Sequence, residues 1–180
     1  MNPDIDRVLI TEQALRAKVE ELGAQVARDY DGRTPIFIGV LNGAMVFISD
    51  LARACPIPLS IDFMAVSSYG AGSRSSGEVR IVKDLDRSIE GRHVLIVEDI
   101  IDTGLTLSYL LDALHTRQPA SVEVCTLLDK RERRIIDIEI KYSGFEIPDE
   151  FVVGYGLDYR DLYRNLPYIG VLKPHLYTSE

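Results

Sequence analysis

"VLIVEDIIDTGLTL", residues 94–107, sets an apolar run directly against three carboxylates, Glu98, Asp99 and Asp102, and closes on a Thr-Gly-Leu-Thr turn. A continuous run rich in Val, Leu and Ile is how a strand buried on both faces reads. Leu107, Leu110, Leu111 and Leu114 then fit one face of a helix. The stretch is strand, tight loop and helix start. In an open parallel sheet, ligands gather at the carboxyl ends of strands, and that is where the three acids fall. The Asp-Thr-Gly-Leu-Thr segment offers a glycine that lets backbone approach a ligand, two hydroxyls, and N–H groups at a helix N-terminus. Together these make a phosphate cradle, although neither GxxxxGK[ST] nor GxGxxG is present. Acids beside a phosphate cradle make sense for a ligand with phosphate at one end and hydroxyls, a proton or a metal at the other. A ribose 5-phosphate has that shape: carboxylates accept bonds from vicinal hydroxyls and hold Mg²⁺. Read alone, the junction would leave Thr103 and Thr106 as helix caps and the acids as solvated groups. The crowding of acids ahead of Thr-Gly weighs against that.

Outward from this stretch, strands and helices alternate. Leu15, Val19, Leu22 and Val26 line one face of a helix over residues 11–30, with Thr11 as cap and Gly32 just past the stop. "IFIGVL" (36–41) reads as a buried strand, residues 44–54 as a helix and 59–66 as a strand. Residues 67–78 are Ser/Gly-rich and read as a loop. Strands follow at 79–82, 93–97 and 121–128. The pattern predicts an α/β fold, an open and mainly parallel twisted sheet with helices on both faces. From residue 131 it turns irregular, with short strands at 151–155 and 168–172. A single domain over 1–180 is expected, with the core at about 1–130 and a small C-terminal hood mainly at 131–180.

Twenty basic against 28 acidic residues give a net charge of −8. Such a chain is a poor general binder of nucleic acid or of an anionic membrane. The longest uncharged apolar stretch, 35–48, is too short to span a bilayer. The acidic N-terminus does not read as a signal peptide, so a cytoplasmic protein is expected. Cys55 and Cys125 are far apart and form no CxxC, which predicts two buried, reduced thiols.

"VLIVEDIIDTGLTL" resembles the phosphoribosyl diphosphate motif of the type I phosphoribosyltransferases, with wording most similar to the hypoxanthine-guanine branch. "GVLNGAMVFISDL" (39–51) resembles the family's pyrophosphate loop and following helix, and "SSYG" (67–70) the start of its catalytic loop. "LLDKRERR" (127–134) and residues 144–172 resemble its purine-binding hood. The likeness runs from about residue 36 to 172.

The resemblance implies that a purine nitrogen displaces pyrophosphate from C1 of phosphoribosyl diphosphate, with Mg²⁺ as cofactor. Glu98 and Asp99 match the ribose- and metal-facing pair, and Asp102 the proposed general base near the purine. Thr103, Gly104, Leu105 and Thr106 match the 5-phosphate cradle. Leu41, Asn42 and Gly43 match the pyrophosphate loop, where the family has a cis peptide between the first two positions. Some members carry Lys where this chain has Asn42 or Leu105. Lys130 matches the donor to the purine 6-oxo group, Phe151 the residue stacking on the purine, Val152 its backbone partner, and Ile100 the packing on its other face. Asp158 matches a purine-side and second metal position, and Arg164 a pyrophosphate-binding arginine. Ser68 and Tyr69 fall on the loop expected to close over the site. By pattern alone, Lys130 would be a solvated lysine and Phe151 and Val152 simply core.

The substrates implied are phosphoribosyl diphosphate and hypoxanthine or guanine, with a homodimer or homotetramer expected. Xanthine, adenine or uracil as the base is an alternative; Lys130 and the 144–164 hood speak against the last two. A regulator that keeps the fold but binds RNA is another, which the acidic balance disfavours.

Overall fold

The computed structural model describes residues 2–68 and 79–178. Six strands form the central sheet: β2 (Ile36–Leu41), β3 (Ser60–Ser68), β4 (Val79–Lys83), β5 (His93–Ile101), β6 (Ser121–Asp129) and β7 (Tyr142–Glu146). Their order is β4-β3-β2-β5-β6-β7, and only β4 runs antiparallel to its neighbour. Three helices pack on it: α1 (Glu12–Asp29), α2 (Met45–Ala54) and α3 (Leu105–His115).

Alternation along β2 and β5 shows why both faces had to be apolar. Phe37, Leu95 and Val97 join the cluster that packs α1 and α2, through Leu15, Leu22, Phe47 and Leu51. Ile36, Ile38, Val94 and Ile96 join the cluster on the other face, with Leu107, Leu110 and Leu114 of α3. Thr11 caps α1 as expected, its Oγ1 accepting the Ala14 N–H at 3.2 Å. Cys55 and Cys125 are free and buried, and burial pushes both thiols upward, Cys55 to about 11. Among the described residues no helix is long and apolar enough to cross a membrane.

Three elements depart from the expectation. β5 does not stop at Val97 but continues to Ile101, so Glu98 and Asp99 are strand residues rather than loop residues. β6 runs beside it as far as the Ile101–Asp129 pair, and this ladder holds the acids in extended backbone. β1 (Ile5–Ile10) was not foreseen; its apolar alternation is broken by Asp6 and Arg7, and its pairing is irregular. It lies against β9 (Ile169–Leu172), which also pairs with β8 (Val152–Val153) in a separate three-stranded sheet. The small sheet thus joins both ends of the described chain, while β7, which falls in the stretch read as a hood, belongs to the central sheet.

Candidate functional site

The chain passes from β2 to β3 on one side and then returns to place β5 on the other, so the strand order reverses between β2 and β5. A crevice at the carboxyl ends of such a pair is where open α/β sheets bind ligands. The β2–β5 register runs from Ile36–Val94 to Gly39–Val97, and past it the two strand ends carry Leu41-Asn42-Gly43 and Glu98–Ile101. The peptide between Leu41 and Asn42 is cis, as the family pattern implies. Gly43 meets Asp99 so closely that a Cβ there would fall 1.8 Å from Asp99 Oδ2. Any side chain there would force the Asp99 carboxylate to move.

Glu98, Ile100, Asp102, Thr103, Gly104 and Thr106 line one cavity of about 180 Å³ with Val40, Ile101 and Leu107. Gly104 has φ +86, a left-handed turn that starts α3 without a side-chain cap. Neither threonine caps the helix at this position; Thr103 Oγ1 accepts only a long 3.4 Å bond from the Leu105 N–H. Leu105 itself is exposed. A larger cavity of about 650 Å³ is lined by α1 and α2 residues with Tyr155 and Arg164–Pro167, and shares only Arg164 with the predicted site.

The acidic pair is electrostatically stressed. Glu98 is 7% exposed, and burial first, then the Asp99 charge, raises its carboxyl well above the usual range. Burial also pushes Asp99 up to about 6; the Ile100 N–H and Arg164 draw it back, while Asp158 pushes it further. Asp158 is held by Arg164, NH2 to Oδ1 at 2.8 Å, and the same guanidinium donates to the Gly156 carbonyl at 2.7 Å. No set of three or more potential metal ligands is assembled among the described residues. The donor chemistry suits a hard divalent cation all the same. Hard oxygen donors match it, two raised carboxylates would be relieved by it, and Mg²⁺ commonly takes only one or two carboxylates and fills its shell with waters and substrate phosphates.

On the other side of Asp102 lies a polar chain that sequence reasoning missed. Arg133 donates from Nε to Asp102 Oδ1 at 2.7 Å and from NH1 to Asp149 Oδ2 at 3.2 Å. Lys130 follows β6 directly, is 12% exposed along its side chain, and its Nζ lies 3.4 Å from Asp149 Oδ1. Its backbone N–H bonds the Ile101 carbonyl at 3.0 Å, fixing it beside the end of β5. The signal was present in "DKRERR": four cations packed behind a buried strand end.

Phe151 is 37% exposed, stacked on Tyr177 at 4.9 Å and edge-on to Tyr159 at 5.5 Å. One ring face is therefore engaged within the protein. Val152 lies buried in β8 opposite Val171. Ser68 ends β3, whereas Tyr69 and the rest of the expected closing loop to residue 78 lie outside the described residues.

A phosphoribosyl transferase domain model matches residues 8–160. The chain is 55% identical over 179 residues to the hypoxanthine-guanine phosphoribosyltransferase of Bacillus subtilis, covering 99% of both. It is equally similar, at 55%, to the bifunctional protein TilS/HprT of Listeria monocytogenes, of which it spans only 28%. A solved hypoxanthine phosphoribosyltransferase of Staphylococcus aureus superposes with a TM-score of 0.93 at 55% identity, covering 97% of this chain and 95% of that one. A Trypanosoma cruzi hypoxanthine phosphoribosyl transferase gives 0.93 at 44% identity, covering 99% and 96%. By sequence, by fold and by the crevice between β2 and β5, this chain belongs to the phosphoribosyltransferase family.

Proposed function

We propose that the protein transfers the 5-phosphoribosyl group of phosphoribosyl diphosphate to hypoxanthine or guanine in purine salvage. The C1–oxygen bond to pyrophosphate breaks, a bond from C1 to the purine nitrogen forms, and the purine's proton leaves to Asp102. The single observation that supports this reading is the cavity of about 180 Å³ that Glu98, Asp102, Thr103, Gly104 and Thr106 line together. Loop N–H groups and hydroxyls take the 5-phosphate. Glu98 and Asp99 accept bonds from the ribose hydroxyls. They would also offer oxygens to Mg²⁺, and Asp158 would serve a second metal position; the metal would supply charge neutralisation for the pyrophosphate leaving group. Leu41, Asn42, Gly43 and Arg164 face the pyrophosphate, and Ser68, at the end of β3, and Tyr69 are expected to contact it. Lys130 donates to the purine 6-oxo group while Ile100, Phe151 and Val152 hold the ring. Positive charge developing on the ribose ring lies beside the acids, where it is stabilised.

The relatives' names, hypoxanthine-guanine phosphoribosyltransferase in Bacillus and Staphylococcus, support the same reading. We expect one catalytic domain working in the cytoplasm as a homodimer or homotetramer. The test is nucleotide formation from phosphoribosyl diphosphate over a panel of hypoxanthine, guanine, xanthine, adenine and uracil, with and without excess EDTA. IMP and GMP formed only with metal support the proposal. No nucleotide from any base, together with retention of RNA on a filter, would favour a regulator instead.

A further inference from the structure

The carbonyls of the phosphate loop are tied down from behind by one short segment. The Asp102 carbonyl accepts from Arg134 Nε at 3.2 Å. The Thr103 carbonyl accepts two backbone N–H groups, Ile135 at 2.9 Å and Ile136 at 3.2 Å. Arg134 is itself anchored: its NH2 bonds the Asp129 carboxylate, and Asp129 is 1% exposed at the end of β6. The second Asp129 oxygen accepts from Arg131 Nε at 3.4 Å. Asp129 does not drift, because its backbone pairs with Ile101 and Glu146 in the central sheet and its carbonyl accepts the Ile147 N–H at 3.0 Å.

A trans peptide is planar, so a carbonyl and the N–H that follows it point in opposite directions. Holding the carbonyls of Asp102 and Thr103 toward residues 134–136 turns the N–H groups of Thr103 and Gly104 the other way, into the cradle. A buried ion pair is weak evidence for a stabilising role, since desolvation consumes much of the attraction. Its geometric consequence here is specific: the guanidinium spans from the sheet to a loop carbonyl.

We infer that Arg134 is a positioning residue, and that the Asp129–Arg134 pair sets the cradle's N–H groups for the ligand's 5-phosphate. The inference rests on the proposed reading of the loop as a phosphate site. It places the device at the junction between the core and the segment that carries Lys130, so one short stretch serves both the phosphate and the base.

The experiment compares the unmutated protein with Arg134→Met/Asp129→Leu. The double change leaves neither charge buried alone, and such replacements are often neutral for folding. The thermal midpoint is expected to stay close to that of the unmutated protein. Binding of ribose 5-phosphate, read by calorimetry, should weaken about tenfold or more, the scale of losing a charged donor. The KM for phosphoribosyl diphosphate should rise in parallel, while the KM for hypoxanthine at saturating cosubstrate moves little. Arg134→Lys keeps the buried charge paired, but replaces the two separate nitrogens that reach Asp129 and the Asp102 carbonyl with one point donor on a differently shaped stem. It should bind ribose 5-phosphate severalfold more weakly, which keeps the test decisive if the double variant does not fold. Unchanged ribose 5-phosphate affinity in either folded variant overturns the inference, and so does an equal loss for sugar phosphate and base. Failure of the unmutated protein to bind ribose 5-phosphate removes the phosphate reading itself, a result distinct from these.

Discussion

Arg133 Nε lies 2.7 Å from Asp102 Oδ1, so the carboxylate proposed to take the purine's proton is already paired before any purine arrives. The same guanidinium reaches Asp149, which in turn holds Lys130, the proposed reader of the 6-oxo group. Both polar groups that would face the base are thus joined through Arg133 and Asp149, contacts with which a bound purine would compete. The pairs are partly exposed, so they are weak and salt-screened. Arg133→Ala is expected to lower the KM for hypoxanthine severalfold at low salt, with the difference vanishing at high salt. A raised KM at low salt would mean that Arg133 helps to hold the base.

Asp102→Asn should keep the Arg133 contact through its remaining oxygen and keep phosphoribosyl diphosphate binding. Turnover should fall roughly 10²–10⁴-fold, the usual worth of a general base. Single-turnover kinetics decides this: an unchanged chemical step would reduce Asp102 to a loop brace.

Asp99 is expected to cost the ligand-free protein stability. Its folded pKa of about 6 lies above the unfolded value, chiefly through burial. The native state then binds more protons, so this group's contribution falls as pH rises from about 4 to 6. The Glu98 carboxyl, raised by burial and by Asp99, carries the fall to higher pH. Asp99→Asn should therefore raise the thermal midpoint relative to the unmutated protein, with a difference that widens from pH 4 to pH 7, while lowering activity. A midpoint difference that stays flat with pH, or that shrinks, contradicts the burial argument.

Gly43→Ala introduces a Cβ where Asp99 Oδ2 stands, 1.8 Å away. The carboxylate must swing aside, and a displacement of about 1 Å at a reacting centre can cost on the order of 10²-fold in rate. A variant with a normal thermal midpoint and a kcat/KM lowered on that scale is expected. Undiminished kcat/KM would show that Asp99 need not sit against the loop.

Much of this was legible because local pattern and tertiary role agree. The 94–97 run is apolar since both faces of β5 are covered, and Thr11 precedes α1 because the first N–H groups of that helix need an acceptor. The acids were visible as a group but not as strand residues: β5 is extended by its ladder with β6, a non-local pairing that a run of charged residues does not announce. β1 was hidden for the same reason, since its partner β9 lies at the far end of the chain. Arg133 and Arg134 lie in "LLDKRERR" (127–134), which was read only through its likeness to a purine-binding hood. Which of the two turns to a side-chain carboxylate and which to a buried aspartate depends on the turn at residues 131–133, and residue type alone does not encode it.

In the proposed function the site reads a 6-oxopurine through Lys130. An ammonium has donors and no acceptor, so it can bond the 6-oxo group but meets the adenine 6-amino group donor to donor. Sites built on a substrate hydrogen bond can discriminate by roughly 10⁴ or more, and a cautious discount puts adenine at least about 10³ below hypoxanthine in kcat/KM. The measurement is steady-state kcat/KM for hypoxanthine and adenine on the unmutated protein and on Lys130→Met. The variant is expected to lose hypoxanthine use far more than any adenine use, so that the ratio narrows. Comparable use of the two bases by the unmutated protein, or an unchanged ratio in Lys130→Met, would contradict it.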